Sequence, residues 1–410
     1  MAVSEREKTI LRELARQVAA IAAQPIQAER VRLWKEHNAL KPTRPVVLAQ
    51  PEGAWTELVP DSSLQCQDAL LRGWEQQLRC SLFRGQHMSD DQPITGIVHV
   101  PWVTDVSDYG VQTEYTHGQD RGSYRWAAPI QSPEDFGKLH VRTLRVDRPA
   151  SAAHLALAKD LLGDLVPVQQ GGPLWWTVGL TQSLIALRGL EQSMWDLYDN
   201  PRFLHQMMAF LRDDMMQFIL KAEAEGILTL NNGPDSHVGS GGLGGIDQLP
   251  AAGFAGRVRL KDLWALGESQ EFVGVGPAQF EEFVLEYQLP LLEKFGLTCY
   301  GCCEGLDQKF DVILRRAPNL RRVSVSPWCD RALAAEKLSD RYVYSWKPNP
   351  AMICAPTVDW GFVEKTTAET IRLARGCRLE MVMKDTHTVH HQPERFTRWC
   401  ERARRLAEEA

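Results

Sequence analysis

The stretch "LTCYGCCEGLDQKFDVILRRAPNLRRVSVS", residues 297–326, holds two β-forming runs with amphipathic helical material between them. That alternation is the sequence sign of a βα unit, whose two strands lie parallel in one sheet. Forward of it the pattern continues through "YVYSW" (342–346) and "LEMVM" (379–383). Backward of it lie "EFVGV" (271–275), "ILTLN" (227–231), "LVPVQ" (165–169) and "GIVHV" (96–100). "PAQFEEFVLEYQLPLLEKF" reads as a helix with proline in its first turn and one apolar face. Eight such runs predict an α/β fold, a (β/α)8 TIM barrel over residues 93–410. Residues 1–92 are helix-rich by pattern and read as an N-terminal helical extension packed on the barrel. In that extension "KPTRPVVLAQPEG" (41–53) stands between helical stretches.

Composition narrows the function classes. The chain has 410 residues, 44% hydrophobic and 24% charged, an ordinary balance for a globular protein. A net charge of −6 argues against a broad phosphate-binding surface and so against nucleic acid as a partner. No apolar run approaches the ~20 residues that span a bilayer, so no membrane partner is expected. The N-terminus "MAVSEREKTILRELARQVAAIAAQ" begins charged and is amphipathic, a surface helix rather than a signal peptide. Nine cysteines without a secretion signal read as reduced thiols in a cytoplasmic protein.

In a barrel the chemistry gathers at the C-terminal ends of the strands. Those ends carry Asn231, Asp235 and His237 after the third run, and Cys302, Cys303 and Glu304 after the fifth. Trp328 follows the sixth run, and Lys384 and His387 follow the eighth. Thiolates bind Zn²⁺ well, and a carboxylate or imidazole can complete a tetrahedral site. The plainer alternative is that the cysteines pack as small hydrophobes. "NNGPDSHVGSGGLGG" (231–245) lacks the spacing of a phosphate-binding loop and reads as a mobile lid over the barrel mouth. Trp175 and Trp176 are candidates for the floor of an apolar pocket, with simple core packing as the alternative.

The order of these motifs resembles the uroporphyrinogen decarboxylase-like superfamily, closest in kind to the zinc-dependent corrinoid (cobalamin) methyltransferases. The segments that carry it are "GLTQSLIALRGLEQSMWDLYDNPRFLHQMM", "VGVGPAQFEEFVLEYQLPLLEKF", "TCYGCCEGLDQKFDVILRRAPNLRRVSVSPW" and "QPERF". The decarboxylase's arginine-rich "RQAGR" has no counterpart in "KPTRPVVLAQPEG", so a highly anionic tetrapyrrole would find few charge-assisted partners. The thiol-methylating branch carries H-x-C on one strand. Cys302 matches its cysteine, whereas Tyr300 stands where its histidine would be, at the substrate side of the site. The resemblance therefore implies zinc on Cys302, with Cys303, Glu304 and His387 as replacement ligands.

The function implied is methyl transfer from a small O- or N-methylated donor to a corrinoid carried by a separate partner protein. A poor leaving group then needs Zn²⁺, or an acid such as Glu304 or Lys384, to stabilise its developing charge. Asn231, His237, Tyr300, Trp328, Trp175 and Trp176 are the expected substrate contacts. Two alternatives remain at this point. One is a carboxy-lyase acting on a less anionic carboxylic acid, with Asp235 over a cation-like intermediate; the other is a non-catalytic ligand-binding barrel. Members of the resembled family are monomers or homodimers.

Overall fold

The computed structural model of the protein describes residues 3–117 and 124–410. In chain order the strands are β1 (Val46–Ala49), β2 (Val98–Val100), β3 (Thr104–Val106), β4 (Glu114–His117) and β5 (Tyr124–Ala127). They continue with β6 (Leu144–Val146), β7 (Val168–Gln170), β8 (His237–Val238) and β9 (Gly242–Leu243). The last five are β10 (Trp264–Gly267), β11 (Leu297–Tyr300), β12 (Leu320–Val325), β13 (Val343–Trp346) and β14 (Arg378–Met383).

Six of these form one sheet in the order β1-β14-β13-β12-β11-β10, with every pairing parallel. All residues of β1, β10, β11 and β13 are buried, as expected where helices cover a parallel sheet. The covering helices begin on clear local signals. Asp330 caps Arg331–Leu338 and Asp359 caps Trp360–Leu373, each carboxylate accepting backbone N–H groups of the first turn. A second, smaller ladder pairs β2 with β7.

The last four predicted strands are present. "EFVGV" is not a strand: Gln270–Phe272 is a single 3-10 turn, and the strand lies upstream at "WALG", β10. Three of its four residues are weak β-formers, but their complete burial in the sheet overrides propensity. "ILTLN" forms no ladder; instead the Asn231 side chain accepts from Trp264 N at 2.9 Å and donates to Trp264 O at 3.0 Å. Residues 41–53, expected between helices, contain β1, which joins the first strand of the chain to the last.

A closed barrel is not seen among the described residues, and the physical reason is visible at both sheet edges. At β1 the Asp91 carboxylate accepts from Val47 N at 2.8 Å and Asp91 N donates to Val47 O at 2.8 Å. The Asp90 carboxylate accepts from Ala49 N at 3.0 Å. At β10, Val178 N and the Thr177 hydroxyl both donate to Leu266 O at 2.9 Å. Side chains and single loop bonds thus satisfy edges that a strand would otherwise occupy.

The first helix (Glu5–Ala22) packs Leu11, Leu14, Ala15 and Val18 against Trp74 and Leu78 of helix Ala69–His87. Their shared core runs on into Val98, Val100 and Leu162. Helix Ala69–His87 therefore stands directly beside β2, with one face turned to the ends of the strands.

Candidate functional site

A chamber of about 1060 Å³ opens where the strands end. Gln50, Pro101, Gly171, Leu266 and Lys384 stand at or just past the C-terminal ends of β1, β2, β7, β10 and β14 on its wall. Asn231, Asp235 and His237 face it from the segment after residue 230, as do Trp175 and Trp176. Of the residues expected at the site, Asp235, Asn231, His237, Lys384 and both tryptophans thus share one chamber wall.

Their bonds decide what each can do. Asn231 is spent on the backbone of Trp264. Asp235 accepts from the hydroxyl of Thr95. His237 Nδ1 is 2.8 Å from Gln50 Nε2, and the chamber walls around the ring, with Arg84 near, pull its pKa down to about 4. The ring is reached by solvent through the chamber, so His237 is a neutral imidazole at an open wall rather than a core side chain.

Behind the part of the chamber wall formed by Ser240 and Lys384 lies the sulfur pair. Gly301 ends β11 with φ +91°, and a Cβ there would fall 2.7 Å from Leu306 Cδ1, so only glycine makes this turn. The turn breaks the up-and-down alternation of a strand and brings Cys302 Sγ and Cys303 Sγ within 3.5 Å. Cys302 Sγ also accepts from the chamber-lining Ser240 Oγ at 3.4 Å and from Lys384 Nζ at 3.8 Å. The Cys303 thiol, then Lys384, outweigh burial and bring Cys302 down to about 7. Cys303 is pushed well up by its contact with Cys302 and by burial, so Cys302 is the sulfur of the pair that ionises first. Lys384 is held above its ordinary range: burial opposes its charge, but Cys302 and Asp385 favour it, with Asp385 Oδ1 3.1 Å away.

The expected zinc set does not assemble. Glu304 Oε1 accepts from Ser269 N at 2.8 Å and Oε2 from Cys302 N at 2.8 Å, so both oxygens tie two strand-end loops together. His387 is exposed and packs on Gly53, whose Cβ position lies 2.8 Å from Nδ1. Among the described residues no group of three or more His, Cys, Asp or Glu side chains is placed to hold a metal ion. The cation facing the Cys302 thiolate is Lys384. The donors therefore do not fit the four-ligand site.

Two expected substrate contacts also lie elsewhere. Tyr300 is buried under the sheet, its hydroxyl donating to Gln288 Oε1 at 2.7 Å. Trp328 is 70% exposed on the outer surface and does not line the chamber. Conversely, Gln50, Trp55, Arg84 and His99 line it and were not anticipated. Gln50 follows "PVVLA", a β-forming run whose flanking prolines hid it as a strand. Trp55 and Arg84 come from the helical extension, where no local signal marks a chamber wall. Glu268, directly after β10, is fully buried, and burial with Glu271 and Glu304 nearby raises its pKa well above the carboxylate range. Its Oε1 would lie 2.3 Å from a Cβ at position 179, which accounts for Gly179.

No family model matches the chain, and no curated protein matches it. Among solved structures it is similar to a methyltransferase from Methanosarcina mazei, over 92% of this chain and 97% of that one, at 11% identity and a TM-score of 0.45. At that level of likeness neither the reaction nor the ligands of the neighbour carry over to this chain.

Proposed function

We propose that the chain is a methyltransferase of the uroporphyrinogen decarboxylase-like kind, taking a methyl group from a small O- or N-methylated donor in the chamber. The acceptor is a corrinoid protein docked over the mouth. In this reading the six-stranded sheet and the β2–β7 pair are staves of one (β/α)8 barrel, with side-chain bonds replacing the ladder at its seams.

The observation that carries the proposal is the contact of Cys302 with Lys384 and Ser240 at the chamber wall. Cys302 is the one position the sequence resemblance carries over residue for residue, and it stands at the strand ends beside the chamber. The corrinoid, when bound, supplies a strong two-electron nucleophile. The chain's own residues do the rest. The walls enclose the donor, and the tryptophans orient its apolar part. Lys384 supplies a wall cation for charge that develops on a leaving oxygen or nitrogen. Glu304, its oxygens already accepting two N–H groups, is a loop clasp rather than an acid.

The lyase alternative is weaker. A carboxylic acid substrate wants a free guanidinium, but Arg84 Nη1 already donates to Asp90 Oδ2 at 2.7 Å and Ala49 O at 2.9 Å. The test is to incubate the protein with a reduced corrinoid carrier and a panel of methyl ethers and methylated amines. Formation of the methylated carrier supports the proposal. Release of CO2 from a carboxylic acid, with no methyl lost from any donor, overturns it.

A further inference from the structure

The chamber wall has two properties that select the charge of its ligand. The first is aromatic. Trp55, Trp175 and Trp176 all line it, and Trp176 is 48% exposed. Trp175 is braced edge-on by Phe218 and Phe295, with centroids 6.1 and 6.2 Å away. One of the three already carries a cation: the Arg84 guanidinium lies 5.9 Å from the Trp55 ring. Indole faces attract cations, and quaternary ammonium groups are the ligands that aromatic walls recognise best.

The second property is charge balance. Each wall cation is matched by an anion, Arg84 by Asp90 at 2.7 Å and Lys384 by Asp385 at 3.1 Å. Of two further wall carboxylates, Glu52 is raised in pKa by burial and shares the Lys384 charge with Asp385, whereas Asp235 takes only the Thr95 hydroxyl. Among the described residues neither forms a salt bridge. Asp235 is thus a wall carboxylate with no cation partner among the described residues, which disfavours a carboxylate or phosphate ligand beside it and favours a cation.

We propose that the methyl donor taken by this chamber is a quaternary methylammonium compound, held by the indole faces of Trp55, Trp175 and Trp176 and by the Asp235 carboxylate. This rests on the methyltransferase reading and names its substrate class. It also accounts for the unassembled zinc set. In a quaternary donor the N–CH3 bond breaks with its electron pair kept by nitrogen, and the amine leaves neutral. The methyl carbon takes its new pair from the reduced corrinoid carrier. No proton and no Lewis acid is needed at the leaving atom, so Lys384 is left to hold Cys302 as a thiolate.

The test is calorimetric binding to the full chain of choline, its neutral isostere 3,3-dimethylbutan-1-ol, and the anion 3,3-dimethylbutanoate. Choline is expected to bind at least about tenfold tighter than the alcohol, and the anion most weakly. Asp235→Asn and Trp176→Leu should each cut that preference severalfold, choline losing more than the alcohol, with an unchanged melting temperature to report an intact fold. Equal binding of choline and alcohol, tightest binding of the anion, or an unchanged ratio in both variants overturns the inference. The two readings fail separately. Charge-selective binding without methyl loss sinks the transferase and leaves the ligand class. Methyl loss from an ether, without preference for choline, does the reverse.

Discussion

Two clusters of charge lie along the axis of the sheet, and they are built differently. Near the middle of the strands, Arg322 and Glu380 form a fully buried ion pair joining β12 to β14. Arg322 Nη2 also donates to Asn38 Oδ1 at 2.7 Å and Leu243 O at 2.9 Å, and Glu380 accepts from Ser345. At the strand ends, Lys384 is shared among a thiolate, a hydroxyl and Asp385 over 3.1–3.8 Å, beside an open chamber. The inner cluster is closed on itself and holds structure. The outer one keeps its charges beside solvent space, where a ligand can reach them.

The largest expected effect breaks the inner cluster. Glu380→Ala leaves the Arg322 charge buried without its carboxylate and should cost about 3–5 kcal/mol in urea unfolding. The double variant Arg322→Met with Glu380→Leu should cost much less, because it removes both charges. A double variant no better than the single would show that the pair is not the source of the loss.

The inner pair also sets a pH dependence. Burial raises the Glu380 pKa, but Arg322 and His37 outweigh it and hold the carboxyl at about 2, below its ordinary 4.5. A depressed carboxylate contributes stability that is fully present above the unfolded value and lost as pH falls through the folded one. Urea midpoints should therefore decline between pH ~4.5 and ~2. Glu380→Gln should flatten that slope; an equal slope would place the titrating group elsewhere.

The outer cluster should respond in reactivity rather than stability. Removing the ammonium in Lys384→Met raises the Cys302 pKa from its value near 7, so less thiolate is present at neutral pH. Alkylation of Cys302, followed by peptide mass mapping, should slow several-fold at pH 7, with its pH profile displaced upward. An unmoved profile would mean that Lys384 does not sustain the thiolate. The smallest effects belong to residues outside both clusters. Tyr300→Phe should cost about 1 kcal/mol for the lost bond to Gln288. Trp328→Ala should stay within about 0.5 kcal/mol, and neither should alter ligand binding.

The same contrast explains what was legible in the sequence. β11 to β13 were readable because β-branched and aromatic residues mark runs of ordinary length, and β14 because "LEMVM" is a short apolar run after a helix. β10 was not, since "WALG" is a strand only by virtue of its burial between neighbours, and misplacing it hid Glu268. β1 was masked by Pro45 and Pro51 on either side. Cys302 and Lys384 were found because a residue just after a strand has one predictable location. Arg84 and Trp55 were not, because a helix from the first quarter of the chain forms that wall and only tertiary packing says so.

The most direct test of methyl transfer in this chamber uses Gly172, which lines it and has open space where a Cβ would stand. Wild type and Gly172→Phe are each incubated with a reduced corrinoid carrier and a CD3-labelled donor, and label on the carrier is read by mass spectrometry. The account predicts transfer by the wild type and its loss in Gly172→Phe at an unchanged melting temperature. Equal transfer by both proteins would contradict it.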